Sequence, residues 1–174
     1  MTQTPALSRN GEPTVIGWQE YVALPDWGIR SILAKADTGA RTSAIDVANI
    51  KHIDDEHVEF DVVPLRSKPR DPIHVRAPIS RISKVKSSFG QDHDRYFVLT
   101  TMRIGPIEKE IELSLVCRKK MRCRMLLGRR TLSPEFLVDP ARSYMFGRPS
   151  TRKKQSPPDR APRSSKANVE SSDS

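Results

Sequence analysis

Two short stretches carry residue types that could do chemistry. In Ala34-Lys35-Ala36-Asp37-Thr38-Gly39-Ala40 a carboxylate follows a largely apolar run and is closely followed by a glycine. Glycine lets backbone approach closely, so Asp37 would stand at the end of a strand in a tight turn, where a carboxylate can serve as acid or base. Far along the chain, Met125-Leu126-Leu127-Gly128-Arg129-Arg130-Thr131-Leu132 supplies an apolar-apolar-glycine segment that could pack beside that turn. A lone Asp-Thr-Gly recurs by chance and reads most often as an ordinary turn. The two stretches in this order and spacing are a stronger signal.

The elements that must position them are short strands. Thr14–Trp18 and Tyr21–Leu24 are followed by the turn Pro25-Asp26-Trp27-Gly28, and Ile29–Ala36 then delivers Asp37. Further strands are expected at Ala44–Ile50, at His57–Pro64 with Val58, Phe60 and Val62 alternating, and at Ile73–Ala77. Tyr96–Ile104 and Ile107–Val116 flank the hairpin turn Gly105-Pro106. Only Arg129–Ser133 reads as helix before Pro134 limits it. Short strands with one small helix near the end argue for a mostly β, antiparallel barrel or sandwich.

The 174 residues fit one domain, and a hydrophobic content of 36% means that part of the length is not core. Residues 147–174 are Ser, Pro, Lys and Arg with almost no large apolar side chain, which predicts a disordered basic tail; residues 1–13 predict a shorter flexible segment. The domain itself is expected over 14–146. No window reaches the ~20 apolar residues of a membrane span and no signal peptide is evident, so a cytoplasmic protein is expected. Cys117 and Cys123 flank a basic turn and are expected as free thiols. The formal charge of +9 admits nucleic acid, a ribosomal surface or an acidic peptide as partner. Beyond Arg152-Lys153-Lys154 in the tail, no nucleic-acid motif accompanies the charge, and few aromatic residues are present to stack bases.

The pairing of Asp37-Thr38-Gly39 with Met125–Leu132 resembles the two halves of a retropepsin-like aspartic peptidase subunit. The nearer resemblance is to a bacterial family known as ATP-dependent zinc proteases and also described as retropepsin-like. Asp37–Ala44 is similar to its opening motif and Met125–Asp139, reading MLLGRRTLSPEFLVD, to its closing one, with similarity over roughly Thr14–Phe146. The resemblance implies a retropepsin-like acid-protease barrel, a single-lobe subunit with one short C-terminal helix. It also implies Asp37 as catalytic acid and base, Thr38 bracing the turn through its hydroxyl, and Gly39 letting backbone N–H groups approach the carboxylate. Such chemistry needs two carboxylates sharing a proton, and the chain has no internal repeat, so a homodimer pairing Asp37 with its symmetry mate is expected. The alternative is that Asp37 caps a turn in an inactive or repurposed barrel. A flap over the cleft is expected from Arg66–Pro72 or from Ser87–Asp94, either of which could also be a plain surface loop.

Ala40, Arg41, Lys35, Gly128 and Arg129 are the candidate substrate-binding residues. Arg41 stands where many retropepsins have an acidic residue that pairs with the arginine after the closing glycine, here Arg129. Lys35 occupies a position that is apolar in typical retropepsins. Both cations could bind carboxylates of an acidic, glutamate-rich chain, or lie on solvated faces, or meet Asp46 or Glu135. The family's association with glutamate-adding ligases and ribosomal protein modification points by resemblance to acidic protein tails as substrate and to the ribosome as a partner. For metal there is no His-Glu-x-x-His, although Asp92-His93-Asp94 and Asp54-Asp55-Glu56-His57 could weakly chelate an ion; for ATP there is no glycine-rich phosphate loop. No cofactor is expected. The function expected from these residues is an aspartic-type peptidase hydrolysing peptide amide bonds, with a non-catalytic barrel that binds acidic peptides as the alternative.

Overall fold

The computed structural model describes residues 12–64, 72–86, 92–117 and 123–149. The elements run β1 (Thr14–Gly17), β2 (Gln19–Leu24), β3 (Ile29–Ala36), β4 (Ser43–His52), β5 (His57–Val62), β6 (Ile73–Lys86), β7 (Asp92–Ile104), β8 (Ile107–Val116), β9 (Met125–Leu127), α1 (Arg129–Leu132) and β10 (Phe136–Asp139). Eight strands form one sheet in the order β2-β3-β9-β4-β5-β6-β7-β8. Further pairings of β2 with β7 and of β4 with β8 join it back on itself. β1 and β10 make a separate parallel pair. This mostly β, ring-like sheet with one short α-helix among the described residues agrees with the strand pattern and with the retropepsin-like architecture that the resemblance implied.

Strand periodicity builds the core. In β5, Val58, Phe60 and Val62 are fully buried while His57, Glu59 and Asp61 face the other way. Each such side chain contributes about 1.5–3 kcal/mol on removal from water. They pack with Ile32 and Ala34 of β3, Ile45 of β4, Met102 of β7 and Leu113 of β8. Trp27 meets Phe60 edge-on at 5.3 Å and closes the core beneath the β2–β3 turn.

That turn is fastened to β7 by Asp26, whose Oδ2 accepts from Thr101 N at 2.6 Å and from Thr100 Oγ1 at 3.2 Å. The backbone N–H of Thr101 is the main cause holding the Asp26 carboxyl below its ordinary value. A carboxyl depressed by folding adds stability above its unfolded value and loses it as pH falls through the folded one. Asp26→Asn should therefore cost stability at neutral pH, by no more than about 1 kcal/mol at so exposed a site. The difference from the parent protein should shrink below about pH 4. Chemical denaturation at pH 7 and pH 3 reads this directly; an equal difference at both values would disprove it.

β6 and β7 exceed the expected strands, pairing from Ile79↔Val98 out to Lys86↔Asp92. Their outer portion is rich in Ser, Lys, Arg and Asp, so backbone pairing extends it where no apolar alternation marks it. β10 was likewise not foreseen; it is a short strand held by β1 rather than by the main sheet. Residues 1–11 and 150–174, most of the two expected terminal segments, lie outside the described residues, as do 66–71 and 87–91 of the two candidate flaps. Cys117 and Cys123 are both free. No helix among the described residues is long and apolar enough to cross a membrane.

Candidate active site

The two sequence stretches meet because β9 inserts between β3 and β4. It runs parallel to β3, with Ala34↔Met125 through Ala36↔Leu127, and antiparallel to β4, with Ala44↔Leu126. Asp37 N extends the first ladder by donating to Leu127 O at 2.9 Å. The half-buried Asp37 then turns back on its own loop: its Oδ1 accepts from Gly39 N and Ala40 N, each at 3.1 Å. One carboxylate oxygen is thereby oriented, and Oδ2 makes no hydrogen bond among the described residues. Such a group can accept or deliver a proton at a fixed place.

Gly128 lies against the next stretch of the loop. A Cβ there would stand 2.5 Å from Thr42 C and 2.6 Å from Thr42 O, so only a residue without a side chain fits. Its N–H donates to Ser43 Oγ at 2.9 Å, and Ser43 Oγ and Thr131 Oγ1 are 2.6 Å apart, all three buried. Arg129 then closes the turn from outside, Nη1 donating to Thr38 O at 2.9 Å and to Gly39 O at 2.8 Å. Thr38 and Gly39 are exposed and enter these contacts through their carbonyls; the Thr38 hydroxyl makes no hydrogen bond among the described residues. Backbone bonds from Arg129 N to Ala40 O (2.9 Å) and from Arg130 N to Arg41 O (3.0 Å) dock α1 on the loop. Ser43 and Thr131 were not singled out from sequence, because nothing local links residues so far apart.

Arg129 needs no acidic partner in this arrangement, since backbone carbonyls take its N–H groups. The carboxylates considered for Arg41 are engaged elsewhere. Asp46 pairs with Arg124, and Glu135 accepts from Lys109 Nζ at 2.6 Å. Arg41 is exposed and makes no side-chain hydrogen bond or ion pair among the described residues. Lys35 is exposed on β3, opposite in register to Gln19, with its ammonium 5.9 Å from the Trp18 ring. Arg130 lies 3.7 Å from Glu112, a carboxylate held below its ordinary range chiefly by hydrogen bonds from Arg81. The loop rim thus presents Arg41 without a counter-charge.

Of the two candidate donor sets, Asp54–His57 does not fit zinc, and the Asp92 side chain of the other lies outside the described residues. Asp54 Oδ1 accepts from Glu56 N at 2.9 Å and meets His57 Nδ1 at 3.0 Å, while Oδ2 lies 3.4 Å from Arg76 Nη2. Among the described residues no three His, Cys, Asp or Glu side chains converge, whereas structural zinc takes four ligands and catalytic zinc three. No step is assigned to a metal.

A family model described as the RimB-like retropepsin-like aspartic endopeptidase RimB matches residues 15–149. Curated relatives include proteins named probable alpha-L-glutamate ligase from Shewanella pealeana, 35% identical over 136 residues, and from Desulfotalea psychrophila, 33% identical over 144. The matches cover 76% and 81% of this chain but only 30% and 31% of those proteins. Among solved structures, a Legionella pneumophila protein of unknown function is similar, with a TM-score of 0.62 and 26% identity, over 76% of this chain and 97% of its own. These relatives correct the expected function, a peptide-bond hydrolase built on Asp37 and its symmetry mate. Their names describe enzymes that join glutamate, and the segment they share with this chain is less than a third of their length. An Asp37 turn locked by Gly128 and Arg129 in a retropepsin-like sheet, together with the family match, shows that the chain belongs to the RimB-like family of retropepsin-like aspartic endopeptidases.

Proposed function

We propose that this chain serves α-L-glutamate ligation as the unit that holds the glutamate-bearing acidic chain. The observation that carries the reading is the uncompensated Arg41 on the rim of the Asp37 loop, in a segment shared with proteins named probable alpha-L-glutamate ligase. A run of glutamates offers a carboxylate at every residue, and guanidinium binds carboxylate in bidentate fashion. Lys35 and Arg129 add positive charge on either side of the turn. A homodimer and a cytoplasmic setting belong to the same proposal.

Within this enzyme family the finer assignment, aspartic-type endopeptidase, is the second reading; it rests on the family description and on the oriented carboxylate of Asp37. Asp37→Asn separates the two. The variant should bind hexa-α-L-glutamate as the parent does, whereas Arg41→Ala should weaken binding about threefold to tenfold, the effect of one exposed charge-assisted contact. Unchanged affinity in Arg41→Ala would overturn the proposal. Cleavage of the peptide by the parent and not by Asp37→Asn would establish the second reading.

A further inference from the structure

At the opposite end of β3 from Asp37 is a second basic feature, a surface pocket of about 270 Å³. Arg30 of β3, Arg103 of β7 and Arg148 of the C-terminal segment line it, and none of the three pairs with a carboxylate among the described residues. Arg148 is held by its guanidinium, 4.4 Å above the Tyr144 ring, and Tyr144 in turn stacks on Tyr21 at 5.4 Å. Ser31 also lines the pocket, and its Oγ is buried with no hydrogen-bond partner among the described residues. Three guanidinium groups around one opening favour an anionic oxygen there.

The wall that carries Arg148 is deliberately fixed. Glu20 is 1% exposed, and its Oε1 accepts from Met145 N and from Gly17 N, each at 2.8 Å. Phe146 closes on Gly105, whose φ of 55° is left-handed and whose missing side chain leaves room for the ring. The volume lies just below the ~300–1,000 Å³ of sites for drug-sized ligands, which suits a group the size of one amino-acid side chain and its backbone.

We infer that this pocket is an oxyanion subsite that takes the side-chain carboxylate of a residue in an acidic peptide, well away from the Asp37 loop. Ser31, Leu33 and Lys35 occupy alternate positions on β3, opposite to the buried Ile32 and Ala34, and so share its outer face. Six residues of strand at about 3.3 Å each place Ser31 roughly 20 Å from Asp37. An extended chain of about that many residues therefore reaches from the arginine pocket past Lys35 to the loop. The choice of a glutamate chain as occupant rests on the function proposed above; the pocket's preference for an oxyanion does not.

The test uses the full chain, with hexa-α-L-glutamate and inorganic phosphate as probes in calorimetric titrations at low salt. The Arg30→Ala/Arg103→Ala double variant should bind the hexapeptide about tenfold or more weakly than the parent, because two charge-assisted contacts are lost. The double variant should keep the parent's melting temperature, as Arg30 and Arg103 are both exposed. Phosphate should compete with the peptide in the parent and not in the double variant. Equal hexapeptide affinity in parent and double variant, with Arg41→Ala still weakened, would overturn the subsite and leave the proposed function standing. Arginine-dependent phosphate binding with no hexapeptide binding would overturn the peptide as occupant and, with it, the glutamate reading.

Discussion

Gly128→Ala is expected to destabilise the protein by about 3 kcal/mol or more and to disorder the Asp37 turn. The backbone of Gly128, with φ of −82° and ψ of 171°, is open to any residue, so the requirement is for space alone. The new methyl would stand 2.5 Å from one Thr42 backbone atom and 2.6 Å from another, and backbone cannot swing aside as a side-chain tip can. Relief would need β9 to move away from β4. That movement would break the bond from Gly128 N to Ser43 Oγ and the one from Asp37 N to Leu127 O. A urea titration should show a clear drop in midpoint; a midpoint equal to the parent's would mean that the loop is far more yielding than its contacts indicate.

The second large effect concerns what holds α1 beneath that loop. Lys109 reaches from β8 to donate to Glu135 Oε2 at 2.6 Å and to Thr131 O at 3.2 Å, with side-chain exposures of 17% for Lys109 and 5% for Glu135. Lys109→Met keeps most of the apolar stem but removes the ammonium, leaving a buried carboxylate and a carbonyl without their donor. Breaking a buried pair from one side costs about 3–5 kcal/mol. Adding Glu135→Met should recover much of the loss, because an apolar pair of similar size has no charge left to solvate. Denaturation of the single and double variants decides the matter: a single variant within about 1 kcal/mol of the parent would show that the pair contributes little.

Sequence made the scaffold legible wherever burial imposes a period. Val58, Phe60 and Val62 announce β5, the run before Asp37 announces β3, and Gly105-Pro106 marks the β7–β8 hairpin. The outer parts of β6 and β7 were hidden because their stability comes from pairing with each other rather than from an apolar face. The turn residues Asp37, Gly39 and Gly128 were visible through the order and spacing of the two stretches that carry them. Ser43, Thr131 and the carbonyl contacts of Arg129 were not, because they depend on a meeting of β4, β9 and α1 that no local pattern encodes. Arg41 was expected to bind a substrate carboxylate, to lie on a solvated face or to meet Asp46 or Glu135, and it stands where the usual acidic partner of Arg129 would be. Instead Arg129 is spent on backbone, and the positive charge of Arg41 is what the loop offers to a ligand.

Charge is also where function was hardest to read. A net +9 is spread over the whole sequence, and composition cannot tell a tail from a site. The structure separates two places: the loop rim at Arg41 and the arginine pocket at the far end of β3. Both are the places where the proposed glutamate chain would be held.

The most direct test is a calorimetric titration of the parent chain with hexa-α-L-glutamate at low salt and again at about 0.5 M salt, where exposed charges are screened within a few ångströms. Saturable binding at low salt that weakens steeply at high salt is the expected result. Absence of saturable binding at low salt, or an affinity indifferent to salt, would contradict the assignment of this chain to glutamate-bearing substrates.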